Sequence, residues 1–406
     1  MDSNKHNSRI PQLRFPGFEG EWEEKTFGEL YKKNNIKNDL SFGVDKIISV
    51  ANMYFKTDAN VGDEEYLKSY NVFHLGDIAY EGNKSANYAY GRFVENTIGD
   101  GIVSHVFDVY SPVSKDHCLG YWKYAINYER IMRPVLEKST IKSTMMTNLI
   151  AKDFLKQKTL VPSPAEQQKI ADCLEAEDRM ISAQEQKVEA LTEKKKGLMQ
   201  ELFPQSGEST PRLRFPGFTE EWEQKMLGEV FDKNNERNTD RSIGFDKTIS
   251  IASMTYNPSG NGAAEDSLKT YKVLRIGDIA FEGHKNKDFA YGRFVMNDIG
   301  SGIISPRFTS LRPKCPLEVE FWKKLINYEP IMRSILVNST KMGTMMNELI
   351  VSEVLKQTLP VPSIAEQRKI ASCLSSLDDT IQTETDKLET LKVHKRGLLQ
   401  QLFPQP

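Results

Sequence analysis

Hydrophobic residues recur at multiples of seven positions along two otherwise polar stretches of the chain. The first stretch runs from Ser163 to Gln205, and the second runs from Ser363 to Gln405. Such spacing places the apolar side chains in one seam of a helix, as at the a and d positions of a coiled coil. Two such seams in one chain predict two long helices that pair with each other. The seam positions include Leu174, Ile181, Val188 and Leu202 in the first stretch and Leu374, Ile381, Leu388 and Leu402 in the second.

Both stretches carry the same signal for a helix start. Ser163 is followed three positions later by Glu166, and Ser363 by Glu366, which is the spacing of a capping box. Pro164 suits the first helical position because it has no N–H group to leave unpaired. A helix of about 38 residues would be about 57 Å long. An ordinary core helix is the alternative, but this length exceeds the usual range and favours a paired, partly exposed coiled coil.

The sequence consists of two similar halves. The segment PQLRFPGF at Pro11–Phe18 returns as PRLRFPGF at Pro211–Phe218, an offset of 200 residues. The segment GDIAYEG at Gly76–Gly82 returns as GDIAFEG at Gly277–Gly283, an offset of 201 residues. This period is far too long for a solenoid repeat. The sequence therefore predicts a tandem duplication of a whole domain, with a pseudo-twofold relation between the copies.

Short apolar runs bounded by turn residues predict β-strands in each copy. A helix is predicted to close each copy, at Gly120–Leu136 and at Glu320–Leu336. The predicted fold class is α+β, with two tandem α/β domains separated by two long antiparallel coiled-coil helices. The predicted strands are Lys46–Val50, Val72–Tyr80 and Gly101–Val109, and in the second copy Lys247–Ile251, Val273–Phe281 and Gly302–Phe308. The predicted domains are residues 1–162 and 207–362, and the helical segments are 163–206 and 363–406.

Composition and charge narrow the class of protein. With 39% hydrophobic and 27% charged residues, the 406-residue chain has the composition of a soluble globular protein. The net charge of −2 argues against a protein that coats nucleic acid indiscriminately, so any DNA-binding surface has to be local. No apolar run is long enough for a membrane helix, and the polar N-terminus does not resemble a signal peptide. The four cysteines show no CxxC pairing and the histidines no metal-ligand spacing, which predicts a cytoplasmic protein without a metal site.

The order of these parts resembles the specificity subunits of Type I restriction–modification systems. The resemblance rests on the junctions VPSPAEQQKIADCL and VPSIAEQRKIASCL, on the paired helices ending in LFPQ, and on the two globules between them. The GDIA strand and the Ser-Thr loop before each junction fit the same family. The resemblance covers essentially the whole chain.

The resemblance implies that each globule is a target recognition domain for double-stranded DNA and that the helices are spacers. It implies two methyltransferase subunits bound along the helices and, through them, two restriction or translocase subunits. It implies a bipartite target with an unspecified gap and no cofactor on this chain, with S-adenosylmethionine, ATP and Mg expected on the partner subunits. The helix positions expected to bind partners are Gln167, Ile170, Leu174, Ile181, Val188, Leu191, Gln367, Ile370, Leu374, Ile381, Leu388 and Leu391.

The two recognition regions are much more alike than in many members of that family. Similar readers in inverted orientation should recognise similar half-sites, so we expect a near-palindromic, interrupted target. The helix length would then fix the gap, as dimer geometry fixes half-site spacing elsewhere.

The best candidates for DNA contact are the polar loops Glu81–Phe93 and Glu282–Phe294, which interleave amides, cations and aromatic rings. Amides, ammonium and guanidinium groups are what base edges and phosphates require. Tyr90 and Tyr291 could stack or contact sugar, although buried core tyrosines are the alternative, and a solvated hairpin is the alternative for each loop. The candidates shared by both loops are Lys84, Arg92, Lys285 and Arg293, and those that differ are Asn83, Ser85, Asn87, His284, Asn286, Lys287 and Asp288. The second candidate loop of each copy supplies Lys142, Thr144, Lys341 and Thr344, and the strand ends supply Asn52 and Ser253.

Catalysis by this chain itself is not predicted. Asp77, Glu81 and Lys84 loosely resemble a metal-dependent nuclease, but the acids are four residues apart and the pattern is ExxK instead of ExK. The sequence contains neither a GxxxxGK[ST] phosphate loop nor the Asn/Asp-Pro-Pro-aromatic pattern of methyltransferases. The remaining alternative is a protein–protein adaptor with two binding globules on a coiled-coil spacer. Salt separates the two hypotheses, because DNA binding through phosphates weakens steeply with ionic strength.

Overall fold

The chain forms two compact units, each built from one globule and parts of both long helices. The structure is a computed structural model that describes residues 9–56, 63–142, 146–205, 207–259, 264–343 and 346–404. The candidates Thr144 and Thr344 lie outside the described residues, as does the side chain of Lys142. Unit 1 comprises Met1–Glu185 with Asp386–Pro406, and unit 2 comprises Gln186–Thr385.

The described residues of unit 1 form twelve strands and the first helices. Its four-stranded antiparallel sheet has the order β2-β9-β6-β7, and the pairs β1-β12, β3-β4, β5-β8 and β10-β11 surround it. The elements are β1 (Glu23–Thr26), α1 (Phe27–Leu30), β2 (Tyr31–Asn34), β3 (Ile48–Ser49), β4 (Tyr54–Phe55), β5 (Asn71–Phe73), β6 (Ile78–Glu81), β7 (Arg92–Glu95), β8 (Gly101–Val103), β9 (Asp108–Pro112), α2 (Leu119–Ala125), α3 (Glu129–Ser139), β10 (Thr140–Lys142), β11 (Thr147–Leu149), α4 (Ala151–Lys156), β12 (Lys158–Val161) and α5 (Pro164–Leu202), which continues into unit 2.

Unit 2 repeats this topology. Its central sheet has the order β14-β21-β18-β19, with the pairs β13-β24, β15-β16, β17-β20 and β22-β23. The elements are β13 (Glu223–Met226), α6 (Leu227–Val230), β14 (Phe231–Lys233), β15 (Ile249–Ser250), β16 (Thr255–Tyr256), β17 (Lys272–Leu274), β18 (Ile279–Glu282), β19 (Arg293–Met296), β20 (Gly302–Ile304), β21 (Ser310–Pro313), α7 (Val319–Leu325), α8 (Glu329–Ser339), β22 (Thr340–Lys341), β23 (Glu348–Leu349), α9 (Val351–Val354), β24 (Thr358–Val361) and α10 (Ile364–Leu402), which returns to unit 1.

The predicted closing helix of each copy is in fact two helices. In unit 1, α2 ends at Ala125 and α3 begins at Glu129, and Tyr128 between them has an extended backbone. The prediction of one continuous helix was wrong because apolar residues continue across the break at helical spacing. The turn lets Ile126, which is 1% exposed, pack in the core together with Trp122.

Each globule's core is completed by both long helices. In unit 1, Ile170 and Leu174 of α5 pack with Leu402 and Phe403 from the end of α10. In unit 2 the roles are exchanged. There Ile370 and Leu374 come from α10, and Leu202 and Phe203 come from the end of α5. The core of unit 1 thus joins residues that are more than 200 positions apart in the sequence.

The predicted capping box forms only in part. Ser163 Oγ accepts the backbone N–H of Glu166 at 3.3 Å, as expected. The Glu166 carboxylate, however, accepts two hydrogen bonds from Arg14, each 2.9 Å long. The bidentate geometry favours this ion pair, in which the carboxylate is nearly buried. Arg214 and Glu366 repeat the arrangement in unit 2. The arginine of the LRFPGF motif therefore fastens each globule to the start of its long helix.

Ion pairs between α5 and α10 confirm antiparallel pairing within each unit. In unit 1, Glu185 pairs with Lys392 at 2.9 Å and Glu177 contacts His394 at 3.1 Å. Residues earlier in α5 therefore contact residues later in α10. The same order holds in unit 2, where Lys187 pairs with Glu384 and Lys195 with Asp378.

Unit 1 buries a carboxyl–imidazole pair that unit 2 lacks. Glu95 Oε1 and His117 Nε2 are 2.6 Å apart, and the side chains are 0% and 11% exposed. Burial raises the pKa of Glu95 to about 9 and lowers the pKa of His117 to about 4. Burial therefore favours the uncharged form of both groups, which lie within hydrogen-bond distance of each other. Met296 and Leu317 stand at the corresponding positions of unit 2.

We expect the wild-type protein to lose stability as the pH rises above 6.5, and we expect the double substitution Glu95→Met and His117→Leu to abolish this loss. Above pH 6.5 the unfolded Glu95 is ionised while the folded one keeps its proton, so stability falls as pH rises towards 9. Below pH 6.5 the lowered pKa of His117 acts in the opposite direction and offsets this slope. Wild type should lose about 1–2 kcal/mol more than the variant between pH 6.5 and 8.5. Urea unfolding at both pH values measures this difference, and equal losses in the two proteins would contradict it.

Candidate nucleic-acid interface

Three loops of unit 1 meet where β6 ends and β7 begins. They are the β3–β4 hairpin, the segment between β6 and β7, and the β10–β11 hairpin. Thr147 N–H donates to Gly82 O at 2.8 Å, and Asn83 pairs with Met146 in an antiparallel bridge. We call residues 49–55, 82–91, 140–142 and 146–149 the three-loop surface of unit 1. Its counterpart in unit 2 comprises residues 250–256, 283–292, 340–343 and 346–349.

The second glycine of the GDIAYEG motif is required by this meeting of loops. A Cβ atom on Gly82 would lie 2.2 Å from Thr147 O, and one on Gly283 would lie 2.1 Å from Asn347 O. No backbone adjustment of a few tenths of an ångström relieves such a clash, so any larger residue would push the two loops apart.

Arg92 links two of the three loops, the β3–β4 hairpin and the segment between β6 and β7. Its Nε donates to Glu81 at 2.8 Å, and its Nη2 donates to Ala51 O in the β3–β4 hairpin at 2.8 Å. Its guanidinium carbon lies 5.1 Å from the ring centroid of Tyr88. In unit 2, Arg293 makes the same three contacts with Glu282, Ala252 O and Phe289. A phosphate contact by these arginines stays a prediction, and the contacts in the structure are internal ones that position the loops.

We call residues 82–91 of unit 1 and residues 283–292 of unit 2 the reading loops, after the DNA contact that the sequence predicts for them. The turn of each reading loop is held by its own side chains. Ser85 Oγ accepts the Tyr88 N–H at 3.2 Å, and Asn286 Oδ1 accepts the N–H groups of Asp288 and Phe289. These two candidates therefore shape the loop. The other exposed candidates are Asn52, Asn83, Asn87, Ser253, His284, Lys285, Lys287, Asp288 and Lys341, whereas Lys84 and Tyr291 are half-buried.

Two candidates are tied to neighbouring groups. Lys285 Nζ donates to Gly343 O at 3.0 Å, which joins the reading loop to the β22–β23 segment. Tyr90 is 7% exposed, and its hydroxyl donates to Glu137 at 2.6 Å. The buried interpretation of Tyr90 is therefore confirmed.

The acidic residues considered for a nuclease are used inside the fold. Asp77 is 2% exposed, and its carboxylate accepts hydrogen bonds from Asn34 at 3.2 Å and from the His74 N–H at 2.9 Å. Burial raises the pKa of Asp77, and Glu81 is paired with Arg92. Within the described part of the chain, His, Cys, Asp and Glu side chains nowhere form a group of three that could hold a metal ion.

Seven of the twelve helix positions expected to bind partners are buried. Ile170 and Leu174 lie in the core, and Gln167 donates its side-chain N–H to Pro162 O at 2.9 Å. Direct contact with a partner at these positions would require the core to open, and the same holds for Gln367, Ile370 and Leu374. Leu388 is also buried, while the half-buried positions are Ile181, Val188, Leu191, Ile381 and Leu391. Partner binding through other faces of the helices stays a prediction.

Sequence patterns missed several exposed apolar side chains on the three-loop surfaces. Tyr54, Ile141 and Met146 are 51%, 59% and 45% exposed in unit 1, and Met342 is 69% exposed in unit 2. The signal was present in the sequence as apolar residues inside polar loops, but exposure cannot be told from burial by composition alone.

No described helix is both long and apolar enough to span a membrane.

Comparisons with known proteins converge on one family. Residues 219–393 match the family described as Type I restriction modification DNA specificity domain. The Type I restriction enzyme MjaVIII specificity subunit of Methanocaldococcus jannaschii is 25% identical over 292 residues, which cover 66% of each chain. The crystal structure of a Type I restriction–modification S subunit from M. genitalium aligns with a TM-score of 0.53 and 15% identity, covering 97% of this chain and 99% of that one. A chain from a structural study of complex assembly and conformational transition in the type I R-M system aligns with a TM-score of 0.56 and 17% identity, with 97% and 99% coverage.

Proposed function

We propose that this chain is a specificity subunit of a Type I restriction–modification system, which reads a bipartite, interrupted DNA target and carries partner subunits to it; the matches to that family support the proposal. The observation that supports this most directly is the three-loop surface, which each unit builds in the same way from an Arg–Glu pair and a close glycine contact. Two copies of one surface on a single chain suit a target with two specified parts.

The half-sites should be related but not identical. The contacts that shape the loops are the same in both units, whereas exposed side chains differ at Asn83 and His284 and at Asn87 and Asp288. Base edges are distinguished by the donors and acceptors that such side chains offer, each good pair being worth about 1–3 kcal/mol of discrimination. The target is therefore near-palindromic, with the two halves differing at a few bases.

The long helices set the gap between the half-sites. Each is an unbroken helix of 39 residues that belongs to both units, about 58 Å long at about 1.5 Å per residue. A continuous helix is a stiffer connection than a flexible linker, which would tolerate many gap lengths.

Methylation and cleavage belong to the partners. The chain acts as a non-catalytic subunit that binds two methyltransferase subunits and, through them, two restriction or translocase subunits. S-adenosylmethionine, ATP and Mg are bound by those partners in the cytoplasm. The internal use of Asp77 and Glu81 supports this assignment, because neither carboxylate is left for a metal.

One observation favours a protein–protein adaptor instead. The net charge of −2 gives no long-range attraction to DNA. The two functions differ in their response to salt, since a DNA complex with several phosphate contacts loses affinity as salt rises and an adaptor shows no such slope on DNA.

Mapping of DNA methylation tests the proposal. The methyltransferase genes are expressed in one host with this gene and in the same host without it. The expected result is methylation at sites with two short specified segments and one fixed gap, present only with the gene. Methylation at an uninterrupted site, or methylation that does not depend on the gene, would contradict the proposal.

A further inference from the structure

Large apolar side chains project into solvent from the β10–β11 hairpin, next to the polar reading loop. Ile141 is 59% exposed and Met146 is 45% exposed. Neither belongs to a core cluster of the unit. Apolar side chains gathered on an otherwise polar surface commonly mark a contact surface.

The hairpin is fixed in place on the reading loop. Asn83 forms a bridge with Met146, and the Thr147 N–H donates to Gly82 O at 2.8 Å. At its base, Thr140 Oγ1 donates to Leu136 O at 2.7 Å. A molecule that contacts Asn83 would therefore also lie beside this hairpin.

The corresponding hairpin of unit 2 has the same frame but another side chain at the same place. Thr340 Oγ1 donates to Leu336 O at 2.7 Å, and His284 forms a bridge with Met346. Ile141 pairs across its hairpin with Asn148, and Lys341 pairs in the same register with Glu348. Positions 141 and 341 are thus equivalent, and both are exposed. One offers an aliphatic surface and the other offers hydrogen-bond donors.

We propose that positions 141 and 341 read a base in their respective half-sites, with Ile141 against the methyl group of a thymine and Lys341 donating to the N7 and O6 atoms of a guanine. The major groove displays both features, and aliphatic side chains and lysines are suited to them respectively. This inference rests on the proposed function and assigns a base preference to one position in each unit.

The test starts from the target mapped for the wild-type complex with its methyltransferase. Each thymine of the target is replaced in turn by uracil, which lacks only the methyl group. For one thymine of the unit 1 half-site, binding should weaken about three- to tenfold, the effect of losing one buried methyl group. The complex with Ile141→Lys should be insensitive to the same replacement. The comparison of thymine with uracil in the wild-type complex changes only the DNA, so its result does not depend on how well a variant folds.

Methylation mapping of Ile141→Lys and of Lys341→Ile gives the second readout. Each variant should change the preferred base in one half-site only, with the gap and the other half-site retained. Val113→Lys is the matched control, because Val113 is 54% exposed in unit 1 and lies outside the three-loop surface. It should leave the target unchanged.

Three results would overturn the inference. The first is that the wild-type complex binds equally well whichever thymine methyl group is removed. The second is that the Ile141→Lys complex has the same target as the Val113→Lys complex. The third is that Ile141→Lys gains affinity equally for all sequences, which would place position 141 on a phosphate. If the wild-type complex has no interrupted target at all, the proposed function itself fails, and that outcome is visible before any variant is made.

Discussion

Replacing Phe403 with alanine is expected to lower the free energy of unfolding of unit 1 by about 3–5 kcal/mol. The Phe403 side chain is 0% exposed, and its ring centroid lies 6.2 Å from that of Trp22, 5.7 Å from Tyr121 and 5.5 Å from Tyr128. Truncation would remove these contacts and leave a cavity between α10 and the globule. Urea unfolding followed by tryptophan fluorescence measures the loss, because Trp22 is one of the residues that Phe403 contacts.

Two variants control this result. Val393→Ala on the same helix removes a side chain that is 56% exposed and should change stability by less than about 0.5 kcal/mol. Phe203→Ala should cost unit 2 as much as Phe403→Ala costs unit 1, because Phe203 stacks on Phe321 and Tyr328 in the same way. If Phe403→Ala unfolds like Val393→Ala, then the end of α10 does not complete the core of unit 1.

The sequence predicted the long helices and the duplication because both patterns are periodic. Heptad spacing reports on a helix face within a few turns, and the repeat needs only letter-by-letter comparison. The predicted fold class and the resemblance to Type I specificity subunits are confirmed. The division into four segments stays a prediction, since the compact units each combine a globule with parts of both helices.

Long-range packing was beyond the sequence patterns. Nothing local to Phe403 indicates that its ring meets Trp22, and nothing local to Arg14 indicates that it takes the Glu166 carboxylate from the capping box. The break between α2 and α3 was missed for a related reason. Tertiary packing decided that Ile126 should end one helix, while the apolar spacing continued unchanged.

The segments proposed for DNA contact lie together in the structure, and their role in DNA binding stays a prediction. The segments singled out for polar composition do lie together, since Gly82 contacts Thr147 and Arg92 contacts Ala51. The presence of a residue in both copies did not tell whether that residue contacts DNA or supports the loops from inside. A residue that holds the loops recurs in both copies just as one that binds a shared base does. The hydrogen bonds of Arg92 to Glu81 and Ala51 O show the supporting role, and contact with DNA stays a prediction.

Substitution of Arg92 by lysine is expected to reduce binding of the mapped target about tenfold or more, nearly as much as substitution by alanine. The guanidinium bonds Glu81 and Ala51 O at once and lies over the Tyr88 ring, and a single ammonium group cannot reproduce this geometry. The loss should be confined to the unit 1 half-site. Arg293→Lys should act in the same way on the other half-site.

The salt dependence of binding separates this positioning role from a phosphate contact. If Arg92 contacts a phosphate, then Arg92→Ala lowers the slope of log K against log salt by about one, and Arg92→Lys keeps most of the affinity. If Arg92 positions the loops, the slope is unchanged in both variants and discrimination between target and non-target DNA is lost. Glu81→Gln should then cause a similar loss, and Arg92→Ala combined with Glu81→Gln should cost little more than either alone, because both remove one ion pair. Additive losses would show that Arg92 and Glu81 act separately.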